Sequence, residues 1–257
     1  MKKTLLFLLA VSFLPVLVRA QIPSLNVTIE PDGHGGWREV VENQAFSSVV
    51  AMRTTFQRRT ETKIGSTNVN TKIVVAYDSI TNYGTVRHIP SGGVGYLFAQ
   101  DPSKWSGGVD AVIFSDGHSE GDPQGVNEIY ERRRGDYRAV TEVLPLLDTI
   151  ANQGASPTQV ADAIHHLYQS LPNDRTISAG ERRGRAQVYS GLEDLLRSQT
   201  DIVGLYDPAK YPPQRSIDQV AKVKGISREQ AHAIVIGEKY RRLEAFLGDN
   251  LQPLVAK

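Results

Sequence analysis

The sequence predicts an α+β chain, with an antiparallel β-sandwich in its first half and an α-helical bundle in its second. Three observations predict it. About seven short runs of alternating or β-branched residues, separated by turn residues, fill the stretch to Asp122. From Pro123 onward the apolar residues recur at three- and four-residue steps instead. The period changes within Val109 to Asp122, where an apolar strand breaks at Asp116-Gly117 and a polar loop leads to the helix opening at Pro123.

In the first half, Leu25-Asn26-Val27-Thr28-Ile29 alternates as a strand, closed by Pro31-Asp32-Gly33. Trp37 to Val41 and Ser47 to Phe56 follow. The second of these mixes Val49, Ala51 and Phe56 with Arg53 and Thr54, as expected of a sheet with one wet face. Arg58 to Asn70 is a polar hairpin or long loop. Lys72 to Ile80 and Thr85 to Ile89 are strands on either side of Asn82-Tyr83-Gly84. Pro90-Ser91-Gly92-Gly93 turns into Val94 to Ala99, Trp105 is expected to plug the core at the sandwich end, and the strand through Val112 and Phe114 closes the series. Helices between the strands are missing, which argues against a parallel α/β sheet.

In the second half, Val126, Ile129, Tyr130, Tyr137, Val140, Val143, Leu144, Leu147 and Ile150 mark one long helix, with Pro145 expected to kink or split it. Ser156 with Pro157 starts the next, striped by Val160, Ile164, Leu167 and Leu171 and ended by Pro172-Asn173. Arg175 to Arg185 holds Gly180 and Gly184 and is expected to be an exposed connection. Val188, Leu192, Leu195 and Leu196 define another helix. After the loop Asp207 to Pro213, helices Ile217 to Val223 and Arg228 to Leu247 meet at Gly225.

Residues 1–20 have the form of a secretory signal peptide. Lys2 and Lys3 precede an apolar run from Leu5 to Val18 that Pro15 interrupts, too short for a bilayer span, and Val18-Arg19-Ala20 precedes Gln21. The expected division is therefore 1–20 signal, 21–122 sandwich and 123–257 helices. Removing Lys2, Lys3 and Arg19 leaves 26 basic against 28 acidic residues, so the near-neutral body offers no electrostatic case for binding nucleic acid. No later run reaches spanning length, and no membrane span is expected after signal removal. The chain has no cysteine, which excludes disulfides, thiolate metal sites and cysteine nucleophiles. An exported protein held by its cores alone fits a bacterial periplasm or a secreted bacterial product.

Four features bear on chemistry. Asp116, His118, Glu120 and Asp122 fall at every second position with Gly117 and Gly121 between them, the way oxygen ligands wrap a hard cation such as calcium. The structural alternative is a tight turn at Asp116-Gly117 and a helix cap at Asp122. His165 and His166 point about 100° apart on a helix and cannot share a metal as an i, i+4 pair does. Asp218 to Gln230 is similar to a helix-turn-helix, with Gly225 in the turn and a Ser227/Gln230 capping box. Arg132, Arg133, Arg134 and Arg138 are interleaved with Glu128, Glu131 and Asp136 as a solvated, salt-bridged face, whereas Arg182, Arg183 and Arg185 have only Glu181 nearby. Nucleophile elbow, phosphate-binding glycine loop and helical metalloprotease pair are all missing from the sequence.

Val41-Glu42-Asn43, Pro90-Ser91-Gly92, and Val112-Ile113-Phe114-Ser115-Asp116-Gly117 with Gly121-Asp122 resemble a pattern of exported bacterial proteins. Those proteins carry an immunoglobulin-like module whose closing strand has the form Val-x-Phe-x-Asp-Gly-x-x-x-Gly-Asp. The resemblance spans residues 37–133 and implies an immunoglobulin-like sandwich and an extracytoplasmic location, without an activity. The expected function is that of an exported, non-catalytic interaction or structural protein with no cofactor. Its partner would be another protein or a cell-envelope component, met by the sheet edges or the Asp116 to Asp122 rim. Two alternatives stand beside it: a hydrolase binding calcium or zinc through Asp116, His118, Glu120 and Asp122, and a helix-turn-helix DNA-binding protein using residues 217–247.

Overall fold

The computed structural model describes residues 22–60, 69–78, 88–198 and 217–248. The expected signal, the middle of the polar connection after Arg58, all but the end of the strand from Thr85, and the loop Asp207 to Pro213 lie outside them. Among the described residues seven strands come first: β1 (Leu25–Pro31), β2 (Trp37–Asn43), β3 (Val49–Thr60), β4 (Val69–Asp78), β5 (Val94–Ala99), β6 (Ser106–Phe114) and β7 (Ser119–Gly121). They form two antiparallel sheets, ordered β1-β2-β5 and β4-β3-β6-β7. Leu25, Val41 and Leu97 from the first sheet and Met52, Val109, Val112 and Phe114 from the second share one buried core. The chain is thus α+β, with sandwiched strands first and helices after them.

Alternation sorts the side chains of the second sheet between two cores. On β6, Val112 and Phe114 face the first sheet, while Ala111 and Ile113 join Ala51, Ile129 and Tyr130 in a separate cluster under the first helix. This sheet is therefore buried on both faces, not wet on one as expected. The polar stretch from Arg58 is also partly strand: β3 runs to Thr60 and β4 begins at Val69, with Gln57 opposite Lys72 and Arg58 opposite Thr71. A backbone ladder needs no apolar side chain where a strand end is exposed. Trp105 is half-buried, with the Arg58 guanidinium 5.9 Å from its ring centroid, and belongs to none of the apolar cores.

Five α-helices follow among the described residues: α1 (Pro123–Gln153), α2 (Pro157–Ser170), α3 (Ala179–Ser198), α4 (Ile217–Lys224) and α5 (Arg228–Gly248), with a 3-10 turn at Leu171–Asn173. Helix α1 packs along α3 and α5, α2 packs on α3, and α4 on α5. Pro145 does not split α1, which continues through it for 31 residues. It lies on the exposed side, where water can satisfy the carbonyl that it leaves unbonded.

The expected connection Arg175 to Arg185 is instead helical from Ala179. Its glycines serve a close crossing. A Cβ on Gly184 would stand 2.2 Å from the Arg132 carbonyl oxygen, and one on Gly135 would stand 2.1 Å from that of Glu181. Gly180 is likewise occluded, by Glu131 and the Glu128 carbonyl. Helices α1 and α3 come this close because Gly135, Gly180 and Gly184 each present no side chain to the other helix.

Candidate functional site

The loop after β6 is a β-hairpin closed by the short strand β7. The Phe114 amide donates to the His118 carbonyl at 2.9 Å, and the Gly117 amide to that of Phe114 at 2.9 Å. Gly117 adopts φ 84°, which a residue with a side chain resists. On this frame Asp116, His118 and Glu120 form one chain of hydrogen bonds. Asp116 Oδ1 lies 3.1 Å from His118 Nδ1, and Glu120 Oε1 lies 3.2 Å from His118 Nε2. Ser47 Oγ donates to Asp116 Oδ2 at 2.5 Å, and Ser24 Oγ donates to Glu120 Oε1 at 2.5 Å. The imidazole stacks on Phe114 with centroids 4.2 Å apart. The hairpin is thereby tied to the segment before β1 and to the β2–β3 loop.

These contacts set the charges. The Ser47 hydroxyl, followed by His118, holds the Asp116 carboxyl below its ordinary range. Partial burial opposes charging His118, but the carboxylates of Glu120 and Asp116 outweigh it and raise the imidazole pKa. Burial likewise works against the Glu120 carboxylate, and Ser24 with His118 more than compensates, so its pKa is lowered.

Asp122 is not part of this chain. It caps α1, accepting from the Gln124 and Gly125 amides at 3.2 Å each, and receives Arg53 Nη2 at 2.7 Å. The two carboxylates at His118 also bind opposite edges of its ring, so they do not converge on one point. Among the described residues no group of three His, Asp or Glu side chains is placed to hold a metal ion. The turn at Asp116-Gly117 and the cap at Asp122 are both present.

A second polar constellation escaped the sequence. Arg53, 4% exposed in the middle of β3, donates to Asp110 on β6 at 2.9 and 2.7 Å, to Asp122, and to Glu128 on α1 at 2.9 Å. Burial works against its charge, but these carboxylates prevail and keep it ionised. Glu128 also accepts from Arg183 of α3. Arg53, flanked by the apolar Val49 to Met52 and Phe56, was the available signal. The arginine run Arg132 to Arg134 is not the solvated face expected: Arg133 and Asp78 are a buried pair, each 2% exposed, because this stretch of α1 lies on β4. Arg185 is not uncompensated either, since it reaches Glu142 at 2.7 Å.

The other expected features are elsewhere. His165 bonds Glu193 at 3.0 Å while His166 is exposed, and Asp162 pairs with Arg197. The Ser227 capping box is formed in both directions, at 3.1 and 3.2 Å, as predicted.

No protein-family model, no curated protein and no solved structure matches this chain. Among the described residues no helix is long and apolar enough to cross a membrane.

One surface feature remains, on the sheet that the helices do not cover. Val94, Tyr96 and Phe98 alternate along β5, at the end of the β1-β2-β5 sheet, and are 47%, 61% and 58% exposed. Their cross-strand neighbours on β2 are Glu42, Val40 and Arg38. Arg38 sits 4.6 Å from the Tyr96 ring centroid and pairs with Glu30 at 2.6 Å. No residue of β5 is charged.

Proposed function

We propose that the chain is an exported, non-catalytic interaction or structural protein, an immunoglobulin-like sandwich joined to a helical bundle, acting in the bacterial periplasm or outside the cell. Its contact surface is the outer face of the β1-β2-β5 sheet, and its partner is another protein or a cell-envelope component. The observation that carries this reading is the strip Val94, Tyr96 and Phe98. Sheet ends that meet only water are normally guarded by lysine, proline or inward charge, and β5 has none of these. Aromatic side chains ringed by charged ones are also the usual make-up of a contact patch. The asymmetry of the sandwich agrees: α1 covers one outer face and leaves the other bare.

The test combines location and chemistry. The protein isolated from its own cells should begin at Gln21, fractionate outside the cytoplasm, carry no stoichiometric metal, and melt at the same temperature with or without calcium or zinc. A cytoplasmic protein with its first twenty residues retained would overturn the reading. So would bound metal that Asp116→Ala with Asp122→Ala removes.

A further inference from the structure

Asp136 lies on α1 under the crossing of α3, one turn after two arginines whose side chains reach β4. It is 1% exposed, and neither carboxyl oxygen has a hydrogen-bond partner. Helix α3 crosses directly above its turn, since a Cβ on Gly184 would stand 2.8 Å from the Asp136 nitrogen. Its neighbours one turn back on α1, at the i, i+4 and i, i+3 spacings that bring helix side chains together, are Arg132 and Arg133.

Those two arginines hold β4. Arg132 Nη1 donates to the Ala76 carbonyl at 3.1 Å, while its Nη2 donates to Gln187 on α3. Arg132 Nε is buried with no partner. Arg133 grips Asp78 with Nε at 2.6 Å and Nη2 at 3.2 Å. The other charged groups near the crossing are committed elsewhere: Glu181 to Arg138, Arg183 to Glu128, and on α5 Arg241 to Asp148 and Glu244 to Thr141. Burial lifts the Asp136 carboxyl to about 8, with Arg132 and Arg133 working against the shift and Asp78 adding to it.

We propose that Asp136 is a pH latch on the joint between β4 and α1: protonated, it leaves Arg132 bonded to β4, and ionised, it takes Arg132 while Arg133 stays on Asp78. Its proton passes to solvent. The bond from Arg132 to the neutral Ala76 carbonyl breaks, and bonds from the same guanidinium, whose Nε has no other partner, to Asp136 replace it. A dry carboxylate must be paired, and Arg132, one turn away with a buried donor to spare, is the cation not already committed to another carboxylate. The folded value lies above the ordinary 3.8, so the stabilisation is complete below 3.8 and is lost as pH rises through about 8.

Amide exchange of the full chain, followed by mass spectrometry from pH 5 to 9 and corrected for intrinsic rates, tests this. Opening of β4 should increase with pH by up to ~10-fold per unit and level off above the folded value. In Asp136→Asn it should be flat. An equal slope in that variant would overturn the latch, as would opening of α3 with β4 unmoved. Should Asp136→Asn not fold, carbon-13 titration of the Asp136 carboxyl in the unmodified protein decides: an ordinary acidic midpoint overturns the proposal, and one near neutrality or above supports it.

Discussion

Arg133 and Asp78 face each other across the junction of α1 and β4, each 2% exposed, with Nε 2.6 Å from Oδ2. Removing one partner strands a buried charge, so Arg133→Met or Asp78→Leu alone should cost about 3–5 kcal/mol in urea unfolding. Making both changes together should recover much of that loss, because the two opposite charges are then removed together.

Arg53 joins three segments at once, yet its partners are better hydrated, with Asp110 20%, Glu128 24% and Asp122 40% exposed. Arg53→Met should therefore cost less than breaking the Arg133 pair, about 2–3 kcal/mol. Asp122→Ala should lose about 1 kcal/mol for the cap together with one of the Arg53 contacts. Chemical denaturation of the three variants gives the ranking directly.

The helix crossing separates two kinds of glycine on α3. Gly184→Ala would drive a methyl against the Arg132 carbonyl, 2.2 Å away, and should destabilise by about 1–3 kcal/mol or more. Gly191 has nothing within 4 Å of an added Cβ, so Gly191→Ala should raise stability by up to ~1 kcal/mol through helix propensity. Thermal melts of the two variants should move in opposite directions.

His118 makes the β6–β7 hairpin pH-dependent in two senses. Its folded pKa is raised, so its contribution is complete below the ordinary 6.5 and fades as pH rises through the folded value. Asp116 and Glu120 are lowered, so theirs is present above 3.8 and 4.5 and is lost as pH falls. Stability of the hairpin should peak between those limits. Proton NMR should place the His118 midpoint above 6.5, and His118→Gln should flatten the alkaline side of the melting profile.

Side-chain period located the strands and helices well, because burial on one face leaves a direct imprint on the sequence. Val112, Ile113 and Phe114 marked β6, and the stripe from Ile129 to Ile150 marked α1. What period cannot report is which element covers which. Gly180 and Gly184 carry the composition of a loop, and only the proximity of α1 shows that they are there to admit another backbone. Arg133 and Asp136 have the spacing of a wet helix face, and only β4 and α3 bury them. At the hairpin, alternation placed Asp116, His118 and Glu120 together, but the coupling to Ser24 and Ser47 joins residues 96 and 69 positions apart.

The exposed strip on β5 is the centre of the functional proposal, and site-specific photo-crosslinking in the producing cell tests it most directly. A benzophenone side chain at Tyr96 should capture a discrete partner, and the same group at His166, exposed on α2 and away from this sheet, should capture little. Equal capture at both positions, or none at Tyr96, would contradict the claim that this face is where the protein is met.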